Sequence, residues 1–185
     1  MDKERGKARM NLKNTVEELA RTAAGMQLPD LRRLVTDLRP DTGEVEAYVQ
    51  FSADRYARNL VHRTDDFEAL VLCWKPGQRS PLHDHANSLC SVYVYEGSMS
   101  TDNFQRTTSG HIRPDFSIDG KPGEVLSIQG KEIHQVSNLE ETENLVSIHF
   151  YLAPLENYYI YSLASLEFES YSPGYTRKFS FGSGI

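Results

Sequence analysis

Residues 77–97 read GQRSPLHDHANSLCSVYVYEG, and this stretch decides the fold of the chain. It opens on a glycine, carries His83 and His85 two positions apart, and ends in an apolar run before a second glycine. A short run rich in Val and Tyr that meets a turn residue is typical of a β-strand. Side chains two positions apart on a strand point to the same face, so both imidazoles could bind a single ion.

The same pattern continues on both sides of this stretch. Short segments rich in Val, Tyr, Phe and Ile are separated by Gly, Pro, Asn and Asp, which predicts further strands joined by turns. The Asp119-Gly120 pair additionally predicts a hairpin. The predicted strand segments are residues 56–62, 67–74, 91–96, 124–128, 133–137 and 144–151.

A helical pattern precedes the strands. Thr15-Val-Glu-Glu18 predicts a capping box at the start of a first helix, because a Thr hydroxyl and a Glu carboxylate can accept from amides of the first turn. Pro29 predicts the first turn of a second helix, which Pro40 stops. Residues 43–50 add one more helical turn in this interpretation.

Helices followed by many short strands predict a mainly β protein, a sandwich or barrel with a small N-terminal helical segment. We expect a flexible N-terminus over residues 1–13 and a single domain over residues 14–185. Within that domain, residues 14–50 would form a helical cover and residues 51–155 the barrel with its metal site. Residues 156–185 would form C-terminal strands or an extension packed on the outside of the barrel.

Composition argues against several classes of partner. The 185 residues include 26 acidic and 20 basic side chains, a formal net charge of -6, so binding to nucleic acid is not expected. No run of about 18 apolar residues occurs, so we expect no membrane span. The charged N-terminus lacks the apolar centre of a signal peptide, which favours a cytoplasmic protein with free thiols at Cys73 and Cys90. We expect this protein to be a monomer.

A third histidine lies in another strand-like segment. His134, within KEIHQV at residues 131–136, would complete a group of three neutral imidazoles with the earlier pair. Three histidines without a carboxylate leave coordination positions open and suit iron, zinc, copper or nickel by ligand type. The alternative is that a histidine is simply a surface or hydrogen-bonded residue, and for His62 and His111 we favour that alternative.

The spacing around these histidines resembles the two motifs of the cupins. The first cupin motif has a glycine, five residues, His-x-His, an acidic position and a closing glycine, and the second has a glycine, a histidine and an asparagine. The match is looser in the second motif, where Gln129-Gly130-Lys131 replaces the usual Pro-x-Gly. The resemblance implies a cupin, or jelly-roll, β-barrel whose glycines serve turns that need a positive φ. The matching positions are Gly77, His83, His85 and Gly97, then Gly123, His134 and Asn138.

One departure from the cupin pattern narrows the resemblance. Cupins usually carry a Glu as an additional ligand after the histidine pair, and Cys90 stands at that position. A cupin with Cys there resembles the cysteine dioxygenases and related thiol dioxygenases. Three more segments match that family, so the similarity covers roughly residues 45–155 and, more loosely, the helical N-terminus. The segments are Tyr56-Ala-Arg-Asn-Leu60, Leu72-Cys-Trp74 and Ser147-Ile-His-Phe-Tyr151.

This resemblance implies an iron-dependent enzyme, a cysteine dioxygenase. In that family three histidines hold Fe(II), which carries over to His83, His85 and His134. A small thiol would bind the iron through its thiolate and amine, and binding to a cation lowers the pKa of the thiol. Both atoms of O2 would be added to the sulfur, which converts L-cysteine to cysteine sulfinic acid.

Arg58 matches the arginine that binds the substrate carboxylate in that family. A guanidinium can donate two parallel hydrogen bonds to a carboxylate. The alternative is a surface arginine paired with Asp54 or Asp65. Relatives that act on 3-mercaptopropionate typically have Gln at this position, so the arginine favours cysteine. Tyr56 would contribute to substrate binding, and Trp74 would line or support the pocket.

Ser147, His149 and Tyr151 alternate along one segment and would face the same side of a strand. They resemble a hydrogen-bonded relay in which His149 orients the Tyr151 hydroxyl toward the reacting groups. The alternative is that all three are core residues that satisfy one another's hydrogen bonds. In mammalian relatives the Cys at position 90 forms a thioether with the Tyr at position 151, so we predict a Cys90–Tyr151 crosslink. The alternative is a buried free cysteine.

Other functions remain open from the sequence. Leu152-Ala153-Pro154 follows Tyr151, where family members acting on cysteine often have Ser-Pro-Pro, so the substrate could be another small thiol carboxylate. The candidates are 3-mercaptopropionate and mercaptosuccinate. A cupin that is no dioxygenase is the remaining alternative, either a zinc or manganese enzyme such as a sugar isomerase or a protein that only binds a small ligand.

Overall fold

Three short helices precede the first strand. They are α1 (Leu12–Thr22), α2 (Leu28–Thr36) and α3 (Thr42–Glu46). The computed structural model describes residues 10–179. Most of the expected flexible segment 1–13, and the last six residues of the expected C-terminal extension, therefore lie outside the described residues. Residues 12 and 13 of that segment are helical, so the flexible segment cannot extend to residue 13.

Helix α1 begins earlier than its predicted capping box. Asn11 is the N-cap, and its side chain accepts from the Asn14 N–H at 2.9 Å. The predicted box at Thr15 is wrong, because an asparagine four residues earlier caps the helix and leaves Thr15 inside it, donating to the Asn11 carbonyl. The capping glutamate belongs to α3 instead. Glu44 accepts from the N–H of Asp41 and from that of Leu12, so it also ties α3 to the start of α1.

The other helical predictions are confirmed. Pro29 lies in the first turn of α2, and the helix ends at Thr36, four residues before Pro40. The extra turn predicted for residues 43–50 is α3. None of the described helices combines the length and apolar character that crossing a membrane requires.

Twelve strands follow within the described residues and form two sheets of six. The first sheet has the order β12-β1-β2-β9-β4-β7, and the second has the order β11-β10-β3-β8-β5-β6. Every strand pair is antiparallel except β1 with β12, which is parallel. The mainly β architecture is confirmed. The strands are β1 (Ala57–Arg63), β2 (Phe67–Trp74), β3 (Leu82–His83), β4 (Leu89–Glu96), β5 (Met99–Arg106), β6 (Ile112–Gly120), β7 (Val125–Gln129), β8 (Ile133–Ser137), β9 (Leu145–Leu152), β10 (Tyr158–Tyr161), β11 (Phe168–Tyr171) and β12 (Arg177–Lys178).

The hairpin predicted at Asp119-Gly120 is wrong. Strand β6 runs through both residues and pairs with β5, whereas the next strand, β7, belongs to the other sheet. Packing explains the glycine at position 120, because an added Cβ would lie 3.0 Å from Val94 Cγ2 and 3.2 Å from Leu126 Cδ1. The glycine therefore marks close contact between the two sheets.

Strands β2 and β9 lie next to each other and are buried at every position. On β2, Ala69, Val71 and Cys73 belong to the core cluster that also contains buried residues of α1 and α2. Leu72 and Trp74 belong to the second core cluster, inside the barrel. Because the helices cover the outer face, the inner face of these two strands is free to line a closed interior.

Gly97, in the turn between β4 and β5, provides a test of this architecture. Its φ is +76°, and an added Cβ would lie 2.2 Å from the Asn144 carbonyl oxygen. Gly97→Ala should therefore lower the free energy of unfolding by about 3 kcal/mol or more, since strain and overlap add. Gly77→Ala is the matched control: its φ is +77°, but nothing lies within 4 Å of the added Cβ. We expect it to cost only about 1–2 kcal/mol in urea denaturation, and equal losses would contradict the account.

Candidate metal centre and active site

Three histidines converge inside the barrel. His83 ends β3 and lies directly opposite His134 of β8. His85 follows two residues later, and its N–H donates to the Gly130 carbonyl at 2.7 Å. One ring nitrogen from each histidine lies within 4.8 Å of the others, and all three residues are buried. The predicted convergence is confirmed, although only one residue of the pair lies on a strand: β3 ends at His83, and His85 lies in the loop beyond it.

The residue between the paired histidines fixes that loop. Asp84 is buried, and its Oδ1 accepts from the Ala86 and Tyr159 N–H groups, each at 3.1 Å. Its Oδ2 accepts from the Tyr161 hydroxyl at 2.7 Å. Ala86 adopts a φ of 51°, so the chain turns sharply directly after His85. Asp84 therefore fastens β10 to the turn and holds the histidine pair in place.

Hydrogen bonds at Nδ1 of His83 and His134 leave the Nε2 atom of each ring free to bind a metal. The Nδ1 atoms of His83 and His134 lie 2.9 Å and 3.0 Å from the Pro81 and Glu132 carbonyl oxygens. A carbonyl oxygen can only accept, so each Nδ1 carries the proton and each Nε2 keeps its lone pair. The Nε2 of His134 is buried without a hydrogen-bond partner, as is the Nδ1 of His85. A bound cation would satisfy a buried lone pair of this kind.

Burial keeps these imidazoles neutral. It lowers the pKa of His83 and His85 well below the usual value, and the nearby His134 ring lowers both further. Burial also lowers the pKa of His134 to about 4. All three imidazoles are therefore uncharged at neutral pH, the state in which histidine binds a metal. Three neutral imidazoles fit a divalent transition metal better than a hard oxygen-seeking cation.

A small cavity lies against this cluster. The predicted substrate-binding residues Tyr56 and Arg58 line it, and so do two members of the predicted relay, His149 and Tyr151. Trp74 lines it as well, with its ring stacked on that of Tyr56 at 4.1 Å between centroids. The structure thus brings together residues from six strands, from the loop before β1 and from the loops on either side of β3.

The predicted relay is present as a chain of contacts. Ser147 Oγ lies 2.9 Å from His149 Nε2, and His149 Nδ1 lies 3.3 Å from the Tyr151 hydroxyl. Trp74 Nε1–H donates to Ser147 Oγ at 3.1 Å. Trp74 was expected to line or support the pocket, and this contact adds it to the relay. Burial lowers the pKa of His149 to about 3, so this imidazole is neutral too.

Arg58 is buried and faces the cavity, so the alternative of a surface arginine paired with Asp54 or Asp65 is wrong. Its Nε and Nη2 atoms are buried and have no hydrogen-bond partner. The neighbouring carboxylate is that of Glu68, with Oε1 3.7 Å from Arg58 Nη2. The sequence analysis missed Glu68, although a glutamate within the apolar run FEALVLCW at residues 67–74 was a usable signal.

Cys90 lies behind the cavity, directly opposite Tyr151 in the pairing of β4 with β9. Burial raises the pKa of its thiol well above the usual value, although a hydrogen bond to Tyr151 acts in the opposite direction. Both Cys90 and Cys73 are free thiols, as expected. Cys73 faces away from the cavity, where its sulfur accepts from the Asn59 side chain at 3.5 Å.

The remaining two histidines lie away from the cluster. His62 is half-buried on β1, and His111 is exposed just before β6, with its Nδ1 3.2 Å from the Ser109 hydroxyl. Neither belongs to the group of three that could bind a metal. His111 is thus an exposed, hydrogen-bonded residue as expected, and the interpretation of His62 stays a prediction.

Comparisons with solved structures support the fold. A protein from Klebsiella pneumoniae with a double-stranded β-helix domain has a TM-score of 0.51 and 19% identity, covering 59% of this chain and 81% of that one. The TT1209 protein from Thermus thermophilus has a TM-score of 0.50 and 15% identity, covering 59% and 93%. The double-stranded β-helix is the cupin barrel, so the predicted fold class is confirmed.

Sequence comparisons identify the family. The family described as "Cysteine dioxygenase type I" matches residues 4–164. Human cysteine dioxygenase type 1 is 25% identical over 135 residues, which cover 71% of this chain and 68% of the human protein. The enzyme from Danio rerio is 25% identical over 154 residues, or 77% of each chain. Since the family match takes in most of the chain, including every residue of the histidine cluster and the cavity, the chain belongs to the cysteine dioxygenase type I family of cupin oxidoreductases.

Proposed function

We propose that this protein is an iron-dependent cysteine dioxygenase that converts L-cysteine and O2 to cysteine sulfinic acid. One observation carries the proposal: Arg58, which has unpaired donors, lines the same small cavity as the three-histidine cluster. A small molecule with both a thiol and a carboxylate matches that pair of features. The reaction balances without another reactant, because both oxygen atoms of O2 are added to the sulfur.

His83, His85 and His134 would hold the iron. When bound, the iron would lower the pKa of the substrate thiol and supply the redox chemistry between sulfur and O2. The neutral state of the imidazoles and the unsatisfied Nε2 of His134 support this role. Cys90, in place of a carboxylate ligand, adds no charge at the cluster, since burial keeps its thiol protonated.

Arg58 would bind the substrate carboxylate. Its Nε and Nη2 atoms carry donors that nothing in the described protein satisfies, and a carboxylate accepts two such donors side by side. An unsatisfied buried donor is costly, so a ligand that fills the position gains both the hydrogen bonds and the removal of that cost. A thiol without a carboxylate gains neither.

The relay would hold one hydrogen ready at Tyr151. The Trp74 indole N–H can only donate, so Ser147 Oγ accepts from it and can turn its own hydrogen toward His149 Nε2. His149 then carries its proton on Nδ1 and donates to the Tyr151 oxygen. His149 does not use the Tyr151 hydrogen, and burial raises the pKa of Tyr151 well above the usual value, so the hydroxyl stays a donor.

Cys90 and Tyr151 would form a thioether. Their positions face each other across β4 and β9, and both side chains are buried. Joining Sγ to a ring carbon removes one hydrogen from the thiol and one from the ring. That is a two-electron oxidation, for which O2, the proposed co-substrate, is the oxidant.

A second candidate is a dioxygenase of another thiol carboxylate, 3-mercaptopropionate or mercaptosuccinate. The observation that favours it is the same Arg58, because a guanidinium recognises any carboxylate. The segment Leu152-Ala153-Pro154, which differs from the usual Ser-Pro-Pro, also begins at the last residue of β9, directly after Tyr151.

The cytoplasmic location and the monomeric state remain predictions.

An oxygen-uptake assay with a panel of thiols tests the proposed function. Iron-loaded protein should consume one O2 per L-cysteine and yield the sulfinic acid, identified by mass spectrometry. Cysteamine, which has no carboxylate, should show a kcat/KM lower by roughly 10- to 150-fold, the equivalent of a charge-assisted hydrogen bond. A higher kcat/KM for 3-mercaptopropionate or mercaptosuccinate would support the second candidate. Oxygen uptake absent for every thiol at full iron loading would refute both.

Metal binding is tested separately from turnover. Metal-free protein should take up one Fe(II) per chain under anaerobic conditions and melt at a higher temperature, because only the folded state binds the ion. His85→Ala should weaken that binding by at least about tenfold, since it removes a ligand. His111→Ala is the control, because that histidine is exposed and lies outside the cluster. Equal iron affinity in the two variants would remove His85 from the ligand set.

Peptide mass spectrometry of denatured protein tests the crosslink. After repeated turnover of cysteine, the peptides that contain Cys90 and Tyr151 should appear joined, with two hydrogen atoms lost. Cys73→Ser should form the same linked peptide, because Cys73 faces the outer core. Cys90→Ser should not form it. Separate peptides from the wild type after many turnovers would refute the thioether.

A further inference from the structure

A fully buried carboxylate lies directly behind Arg58. Glu68 is on β2, next to the pocket-lining strand β9, and has no exposed surface. Its Oε1 accepts from the Leu155 N–H at 3.1 Å and lies 3.7 Å from Arg58 Nη2. Its Oε2 accepts from the Tyr175 hydroxyl at 2.6 Å and lies 3.7 Å from Arg63 Nη1. Each carboxylate oxygen thus has one close neutral donor and one more distant cation.

The distances show how Glu68 and Arg58 divide their hydrogen bonds. At 3.7 Å, the Arg58–Glu68 contact is an electrostatic attraction and not a hydrogen bond. The closer donors to Glu68 are the Leu155 N–H and the Tyr175 hydroxyl, which hold the carboxylate in place. The carboxylate can therefore stabilise the buried guanidinium without accepting a hydrogen bond from its Nε or Nη2 atom.

The C-terminal segment supplies this restraint. Tyr175 holds Glu68 and also accepts from Arg63 Nη1 at 2.9 Å. The next residue, Thr176, accepts from the Arg58 N–H at 2.9 Å through its side chain and donates its own N–H to the Arg58 carbonyl at 2.8 Å. Residues beyond position 164, where the family match ends, thus hold the Arg58 backbone directly and its side chain through Glu68.

We infer that Glu68 and Tyr175 are positioning residues that keep the Arg58 guanidinium directed into the cavity, and that they thereby determine the preference for carboxylate-bearing thiols. The inference rests on the proposed function in one respect, the binding of the substrate carboxylate by Arg58. Without the Tyr175 hydroxyl, Oε2 of Glu68 loses its closest donor. The carboxylate is then free to turn onto Arg58 and to occupy the donors that the substrate needs.

The test compares Tyr175→Phe with Tyr171→Phe. Both substitutions remove a phenol oxygen of the C-terminal segment that accepts from an arginine, but Tyr171 bonds to Arg55 at 3.1 Å and not to Glu68. Anaerobic calorimetry of iron-loaded protein measures the binding of L-cysteine and of cysteamine without turnover. Tyr175→Phe should weaken cysteine binding about five- to tenfold and change cysteamine binding less than about twofold. Tyr171→Phe should change neither by more than about twofold.

Two more variants complete the series. Arg58→Ala gives the largest possible loss of cysteine binding, and Glu68→Gln should fall between it and the wild type. If Glu68→Gln does not fold, Tyr175→Phe still decides, because it keeps the ring and removes only the hydroxyl. In steady-state assays, both Glu68→Gln and Tyr175→Phe should raise KM for cysteine while kcat stays within about twofold, since the histidine cluster and the relay are untouched.

The possible outcomes separate this inference from the proposed function. Equal weakening of cysteine and cysteamine by Tyr175→Phe would overturn the positioning role, because the substitution would then act on the structure as a whole. Unchanged binding of both thiols would overturn it as well. Selective weakening in a protein that consumes no O2 would support the positioning role and overturn the dioxygenase proposal.

Discussion

Strands β2 and β9 have no exposed residue, so every polar group on their inner faces must find a partner inside the barrel. Trp74, Ser147, His149 and Tyr151 meet this requirement among themselves, in one continuous chain of contacts. The histidine cluster does not, because lone pairs and donors around it remain unsatisfied. One part of the interior thus satisfies its own hydrogen-bonding groups, and the other part would have them satisfied by the metal and substrate that it binds.

The same burial leaves the two kinds of nitrogen base in the cavity in different charge states. It lowers the pKa of the imidazoles, so the histidines keep their lone pairs at neutral pH. A guanidinium keeps its proton in any protein environment, so Arg58 stays charged and needs a nearby anion. Glu68 supplies that anion at a distance that leaves the guanidinium donors available. Neutral metal ligands and a positively charged arginine, which can bind a carboxylate, can therefore lie side by side in one small cavity.

Sequence predicted those parts of the site that depend on local spacing. Ser147, His149 and Tyr151 alternate on a strand, so their shared face follows from the period of two, and the structure places them as expected. Local patterns gave wrong predictions in two situations: where a second suitable residue lay nearby, and where the pairing partner lay far away in the sequence. Asn11 displaced Thr15 as a helix cap, and Asp119-Gly120 was mistaken for a hairpin because nothing local reveals that β6 and β7 belong to different sheets.

Glu68 shows most clearly what cannot be predicted from the sequence. A charged residue in an apolar strand is visible in the sequence, but its meaning depends on a tyrosine 107 positions away. No periodicity links the two, and a motif defined around the histidines does not reach the C-terminal segment. The metal ligands of such a barrel can thus be recognised from spacing alone. The orientation of the residue that would select the substrate instead depends on how the end of the chain returns to pair with β1. Substrate preference can therefore change through residues outside the motifs while the histidine cluster stays the same.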